Sequence, residues 1–140
     1  MKYLETDIKR TFVAKLEMGD DVLVSIEKVA KDQSIMNAAF MAIGAVGKAK
    51  LGYWKDGKYI SKEFDQQMEI VSCMGNILLK NAEPLVHGHI VVSDGNMRSF
   101  GGHLFEGCII SGAGEAFIFE LASRVSRSLD EETKLFLMDI

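Results

Sequence analysis

The only three histidines of the chain, His87, His89 and His103, fall within a segment of seventeen residues. His87 and His89 alternate in an apolar run that is typical of a β-strand, so both side chains are expected on the same face of a sheet. Residues 93–96 (Ser-Asp-Gly-Asn) are a turn signal that would fold the next segment back beside this strand and bring His103 close. Three imidazoles on one sheet face are the usual ligand set of an open metal site, which leaves a fourth position for water or substrate.

Two interpretations of the histidine trio remain open on the residues alone. In the first, the histidines bind a divalent transition metal, preferably zinc. Gly88, Gly101 and Gly102 then let the backbone approach closely or bend near the ion. In the second, the histidines are polar residues at a subunit interface, hydrogen-bonded to one another or to carboxylates. A cupin site is disfavoured, because its H-x-H pair is followed closely by a glutamate and this chain has Ser93 and Asp94 there.

Glu115 is the acidic residue that the sequence associates with this site. It follows glycines at the start of an apolar strand-like run. An acid at the edge of a metal site can orient a histidine or accept a proton, whereas the alternative is a carboxylate held by a backbone N–H group or an arginine. Cys73 and Cys108 lie in apolar runs, which predicts buried core thiols rather than nucleophiles or a disulfide.

The composition is that of one globular domain spanning residues 1–140. Hydrophobic residues make up 48% of the chain and charged residues 26%. A net charge of −4 and a pI near 5.4 lower the expectation of a surface that neutralises phosphates. The N-terminus has no apolar signal core and no apolar run is long enough to span a bilayer, which predicts a cytoplasmic protein without a membrane partner.

The elements that must position the histidines are mostly strands. Apolar residues at helical spacing, behind the acidic N-cap signal of Asp20 and Asp21, predict one amphipathic helix over residues 22–32. Alternating or continuous apolar runs predict strands, and an Asp-Gly turn at 56–57 predicts a hairpin. The predicted strands cover residues 11–17, 39–45, 48–54, 67–79, 85–92, 97–104, 107–111, 116–121 and, at an edge, 135–138. The fold class expected is α+β, with one main helix packed on a largely antiparallel seven- or eight-stranded sheet.

Five short motifs, in this order, resemble the plant-and-prokaryote-conserved (PPC) domain family. They are residues 16–22 (LEMGDDV), 42–46 with 51–53 (AIGAV and LGY), 68–77 (MEIVSCMGNI), 87–89 (HGH) and 101–104 with Gly107 (GGHL and G). The resemblance runs from about Arg10 to the C-terminus and implies an antiparallel α/β fold and a homotrimer. The AT-hook of the plant proteins is absent, so the resemblance supports DNA, or proteins bound to DNA, only weakly as partners.

Two functional hypotheses follow. The first is an oligomeric PPC-like module with a regulatory or DNA-associated role in assembly, to which a three-histidine metal site contributes structure. The second is a metal-dependent enzyme of unknown substrate that uses the ion held by His87, His89 and His103. The first is favoured, because the sequence contains no complete catalytic constellation.

Overall fold

Nearly the whole chain is organised as long strands around a single short helix. The computed structural model describes residues 1–140. The elements, in chain order, are β1 (Ile8–Leu16), α1 (Val22–Asp32), β2 (Ala38–Lys55), β3 (Lys58–Lys80), β4 (Glu83–Ser93), β5 (Ser99–Leu104), β6 (Ile109–Leu121), β7 (Ser126–Leu129) and β8 (Phe136–Asp139). No helix combines the length and the apolar character that crossing a membrane would require.

The strands form one eight-stranded sheet in the order β1-β6-β2-β5-β4-β3-β7-β8, with an additional pairing of β2 with β3. That extra pairing closes β2, β5, β4 and β3 into a barrel-like ring. All neighbours are antiparallel except β3 and β7, which run parallel at Leu79↔Ser126. The expected seven- or eight-stranded, largely antiparallel sheet is therefore present with eight strands. The fold is dominated by this sheet, which closes on itself, and the helix that was expected as a main element is a minor part of it.

Strand β2 makes the closure possible because it is long and irregular. Its first part pairs with β6 and its later part, at Leu51 and Gly52, pairs with β5, while β3 follows its other edge. Register shifts occur near Gly44 and near Gly47, and the prediction of two separate strands placed a break at the second of these positions. A β-bulge absorbs extra residues and bends a strand without ending it, so one continuous strand replaces the predicted pair.

Strand β6 corrects the sequence prediction in the same way. The glycine-rich residues 112–114 were expected to separate two strands, but they lie within a single strand, opposite the register shift of β2. Strand β3 begins at Lys58, well before the predicted residue 67. The prediction missed its first part because those residues are mostly polar and exposed and show no clear apolar pattern. Strand β7 was missed for the same reason, whereas the predicted edge strand near the C-terminus is present as β8.

Helix α1 covers the core as its spacing predicted. It buries Val22, Ile26 and Ala30 against the sheet. The side chain of Asp21 accepts hydrogen bonds from the backbone N–H groups of Leu23 (2.9 Å) and Val24 (3.1 Å), which otherwise lack partners at a helix start. The helix and the inner face of the sheet enclose one cluster of 22 buried residues, and the histidines lie outside it.

Candidate metal centre

Strand pairing brings the three histidines together on one sheet face. His89 of β4 lies directly opposite His103 of β5, and His87 lies two residues before His89 on β4. Residues directly opposite in an antiparallel pair share a face, as do residues two apart on one strand. Nitrogens of the three rings all lie within 4.8 Å of one another, so the three histidines predicted as metal ligands form one cluster.

The turn between β4 and β5 fixes this register. Asp94 accepts hydrogen bonds from the backbone N–H groups of Asn96 (2.9 Å) and Arg98 (3.0 Å) and from Nε of Arg98 (2.9 Å). The hydrogen bond from Arg98 holds the pKa of this carboxyl below its usual range. Asp94 is therefore the turn residue that its sequence context indicated, and a slip of one residue in this hairpin would turn His103 to the opposite face.

His103 packs against two aromatic rings that also contact each other. The ring centroids of Tyr59 and Phe105 lie 4.7 Å and 4.9 Å from that of His103. Burial, together with a smaller contribution from the neighbouring His87 and His89, lowers the pKa of His103 to about 4. The ring is consequently neutral at physiological pH, which is the form that binds a metal. Its Nδ1 atom is buried and has no hydrogen-bond partner.

The trio fits a metal ion once the rings close in on it. Two imidazole nitrogens bound to one tetrahedral zinc ion at about 2.1 Å lie about 3.4 Å apart. Ring nitrogens that lie within 4.8 Å of one another must therefore approach by up to about 1.4 Å, which side-chain rotations of the histidines supply. A buried ring nitrogen without a partner is costly, and a cation at this point would satisfy it.

Arg127 is the residue of this site that the sequence did not indicate. Its Nη2 atom donates to Asn76 Oδ1 (2.8 Å) and lies 3.1 Å from His87 Nδ1, and its Nη1 atom donates to the carbonyl of Phe136 (2.9 Å). Burial and the Arg127 charge lower the pKa of His87. Arg127 belongs to β7, a short polar strand whose position beside β3 is set by a long-range parallel pairing. No local pattern could have revealed that contact.

Glu115, the acid expected to orient a histidine or accept a proton, is not part of the cluster. It is exposed on β6, opposite Lys15 of β1 and Ile43 of β2, whereas His103 lies opposite Gly52 of β2. The stretch of β2 from Ile43 to Gly52 corresponds to roughly 30 Å of extended strand. The structure therefore brings the three histidines together and leaves Glu115 far along the sheet, because β6 pairs with the opposite end of β2.

A cavity of about 440 Å³ opens beside the trio. All three histidines and Arg127 line it together with a set of aromatic, apolar and basic residues, namely Trp54, Tyr59, Lys80, Leu85, Val86, Leu135, Phe136 and Leu137. Tyr59 stacks on His103, and Trp54 packs against Tyr59 with ring centroids 4.9 Å apart.

The two cysteines lie elsewhere, as predicted. Cys73 and Cys108 are free and buried. Burial raises the pKa of Cys73 to about 12 and that of Cys108 to about 11. Neither thiol forms an appreciable amount of thiolate at neutral pH, so the histidine cavity remains the place where this chain assembles reactive groups.

Comparison with known families agrees with the fold. Residues 3–122 match the Plants and Prokaryotes Conserved (PCC) domain. The chain belongs to this family. The abbreviation PPC refers to the same domain, so the family resemblance drawn from the five motifs is confirmed.

Solved structures of PCC relatives share the whole fold. A metal-containing protein from Archaeoglobus fulgidus is 35% identical, with a TM-score of 0.87 and 98% of each chain covered. A PPC protein from Pyrococcus horikoshii is 28% identical, with a TM-score of 0.89 over 100% of this chain and 98% of the other. A provisionally assigned DNA-binding protein from Bacteroides thetaiotaomicron is 26% identical, with a TM-score of 0.87 and 96% of each chain covered.

One curated protein also matches in sequence. It is the bifunctional protein GlmU from Synechococcus sp. (strain JA-3-3Ab), 30% identical over 134 residues. The match covers 93% of this chain but 20% of that protein, so the chain spans about a fifth of the relative's length.

Proposed function

We propose that this PCC-domain protein is an oligomeric module that binds a divalent transition metal ion, preferably zinc, through His87, His89 and His103. The observation that carries the proposal is the convergence of nitrogens from three histidine rings within 4.8 Å, and the His103 ring also has a buried nitrogen without a hydrogen-bond partner. The relative from Archaeoglobus fulgidus is a metal-containing protein, which supports the same reading. Three imidazoles suit zinc, and a three-histidine site keeps a coordination position open.

The chain's own residues prepare the site in two ways. Tyr59 and Phe105 both pack against the His103 ring and restrict its rotation, so this ligand loses little rotational freedom when it binds. Burial keeps His87 and His103 neutral, so no proton has to be expelled from a charged imidazolium. When bound, a metal of this kind contributes structural cross-linking of β4 and β5 and Lewis acidity at its open position.

The assembly part of the proposal rests on an apolar row that crosses four strands. Val13, Phe117, Met41 and Met74 lie directly opposite one another on β1, β6, β2 and β3, and Met74 in turn lies opposite His89. Val13, Met41 and Met74 are exposed by 71%, 48% and 57%. Contiguous exposed apolar surface on a sheet marks an interaction site. We infer that copies of this chain cover the row, as the homotrimer expected for the family would require.

We also propose that the assembled module associates with DNA. Two solved relatives are provisionally assigned as DNA-binding proteins. On this chain, Lys48 and Lys50 of β2 pair with Asp65 (3.7 Å) and Glu63 (3.2 Å) of β3, so that surface is charge-balanced. Polarisation of a labelled DNA duplex measures this part of the proposal. Binding that weakens steeply between about 50 and 200 mM salt supports direct contact, and no binding at low salt removes it.

The first experiment tests the metal. Protein prepared without an affinity tag is titrated with zinc, alongside the variants His103→Ala and Glu115→Gln. Loss of one of three ligands is expected to weaken zinc binding at least 100-fold, whereas Glu115→Gln, which alters an acid far from the cluster, is expected to leave it unchanged. A parent protein that takes up no zinc would end the metal proposal.

A metal-dependent enzyme is the second candidate, favoured by the open cavity beside the trio. It predicts that the zinc-loaded protein hydrolyses at least one member of a panel of ester and phosphoester substrates, and that His103→Ala abolishes this activity. Zinc binding without any such activity leaves the assembly module as the function.

A further inference from the structure

The histidine cavity carries positive charge that nothing in its lining balances. Lys80 and Arg127 are both part of the wall, and no aspartate or glutamate is. The Nζ atom of Lys80 lies 3.9 Å from the centroid of the Phe136 ring, which holds this cation at the cavity edge. A divalent cation on the histidines would add two more positive charges. Such a cavity attracts an anion.

Unpaired polar atoms point to the same conclusion. Two buried side-chain polar atoms of the protein lack a hydrogen-bond partner, Nδ1 of His103 and Nε of Arg127, and both residues line this cavity. Nε of Arg127 is a donor on a charged group, so it needs an acceptor. Leaving such a donor buried and unpaired is costly. The metal accounts for the unpaired nitrogen of His103 but not for the unpaired donor of Arg127.

The hydrogen bond between Arg127 and His87 is lost when a metal binds the trio. A guanidinium only donates, so Nδ1 of His87 must accept, and the proton of the neutral ring then sits on Nε2. A metal needs a ring nitrogen with a free lone pair. If the metal takes Nδ1, Arg127 loses that acceptor directly. If it takes Nε2, the proton moves to Nδ1 and Arg127 loses the acceptor as well. In both cases, metal binding leaves Arg127 with a second donor that has no partner.

We propose that this cavity binds a small organic carboxylate through Arg127 and Lys80, and that it does so when the histidines hold a metal, an inference that rests on the metal site proposed above. Two free N–H donors on one guanidinium match the two oxygens of a carboxylate. The walls formed by Trp54, Phe136 and Leu137 suit an apolar body attached to that head group. A volume of about 440 Å³ accommodates a small molecule of this kind.

Benzoate is a suitable probe, and the single tryptophan of the chain, Trp54, reports on the cavity that it lines. Benzoate is titrated into the zinc-loaded and the metal-free protein while tryptophan fluorescence is recorded. Saturable binding to the zinc-loaded form is expected, at least tenfold tighter than to the metal-free form. Benzyl alcohol, which has the same ring without the charge, is expected not to bind.

The variant Arg127→Met separates the proposed role from a structural one. It is expected to weaken benzoate binding at least tenfold and to tighten zinc binding several-fold, because His87 Nδ1 is released and a nearby positive charge is removed. A variant that merely disturbs the fold would weaken both. Arg124→Met, which removes the same charge from an exposed position three residues earlier, is expected to change neither affinity.

Two outcomes would overturn the carboxylate inference while leaving the metal site standing, and a third would overturn both. Zinc binding by the parent, together with equal benzoate affinity of the parent and Arg127→Met, overturns the carboxylate site and leaves the metal site standing. Inorganic phosphate that binds tighter than benzoate overturns the assignment to organic carboxylates. A parent protein that binds no zinc overturns the metal site and this inference with it.

Discussion

At the scale of single residues, the buried acid Glu120 is held by basic residues of a neighbouring strand. Glu120 of β6 accepts hydrogen bonds from Arg10 and from Lys9 (3.2 Å), both on the neighbouring β1. The hydrogen bond from Arg10 holds the pKa of Glu120 below its usual range, although burial opposes this effect. Because the folded-state pKa lies below the unfolded value of about 4.3, the pair stabilises the fold above that pH. The stabilisation is lost as the pH falls through the folded-state pKa.

The variant Glu120→Gln tests this residue. It is expected to be less stable than the parent at pH 7. The difference between the two should begin to shrink as the pH falls below the unfolded value of about 4.3, and it should vanish once the pH passes the lowered folded-state pKa of Glu120. Urea unfolding followed by circular dichroism at pH 7, 5, 4 and 3 measures the difference. Glu17→Gln, which removes an exposed acid paired with Lys15, is the control and should change stability by less than about 1 kcal/mol. A constant difference between Glu120→Gln and parent across this range would contradict the assignment.

At the scale of the elements, the contact between β3 and β4 depends on glycine. Gly75 lies opposite Gly88, and a Cβ atom on Gly75 would come within 2.1 Å of the carbonyl oxygen of His87. That neighbour is backbone and cannot rotate away, so β4 would have to move as a whole. The position of the histidine strand thus depends on a residue that carries no functional group.

Gly75→Ala is expected to lower the free energy of unfolding by about 1–3 kcal/mol, the usual penalty of overpacking. Zinc binding should weaken at the same time, because β4 carries two of the three histidines. Gly112→Ala is the matched control, since a Cβ atom there meets nothing within 4 Å, and its effect should stay within about 0.5 kcal/mol. Chemical denaturation and zinc titration of both variants provide the measurements. Unchanged stability of Gly75→Ala would show that the two strands can separate without loss.

Local patterns predicted the elements to different degrees. The helix, its Asp21 cap and the hairpin at Asp56 and Gly57 follow from side-chain chemistry within a few residues, and all three are present. The breaks expected in β2 and β6 are bulges instead, because glycine permits either and only the partner strand decides between them. The closed ring was not predicted, since the additional pairing of β2 with β3 depends on the curvature of the whole sheet.

At the scale of the whole molecule, the sequence predicted some residues of the candidate site and missed others. The three histidines were found because one hairpin carries them and its turn residues fix the register. Arg127 could not be found, because a parallel pairing between segments far apart in sequence brings it to His87. Glu115 was assigned to the site on its position in the chain, but the path of β2 carries it away. Sequence thus revealed the groups that lie on neighbouring strands of one hairpin and missed the one that comes from elsewhere.

The apolar row of Val13, Phe117, Met41 and Met74 gives the last prediction, which concerns the whole molecule. If copies of the chain cover this row, a charge at its centre must be buried without a partner, so Met41→Glu should dissociate the assembly into monomers. Met18→Glu introduces the same charge at a residue that is 72% exposed in the turn before α1, and it should leave the assembly intact. Light scattering coupled to size-exclusion chromatography measures the mass of the parent and both variants. A monomeric parent, or an assembly that survives Met41→Glu, would show that the row is not the interface. Because the row ends at His89, dissociation should also increase solvent access to the histidines, which zinc-exchange rates of Met41→Glu and the parent can compare directly.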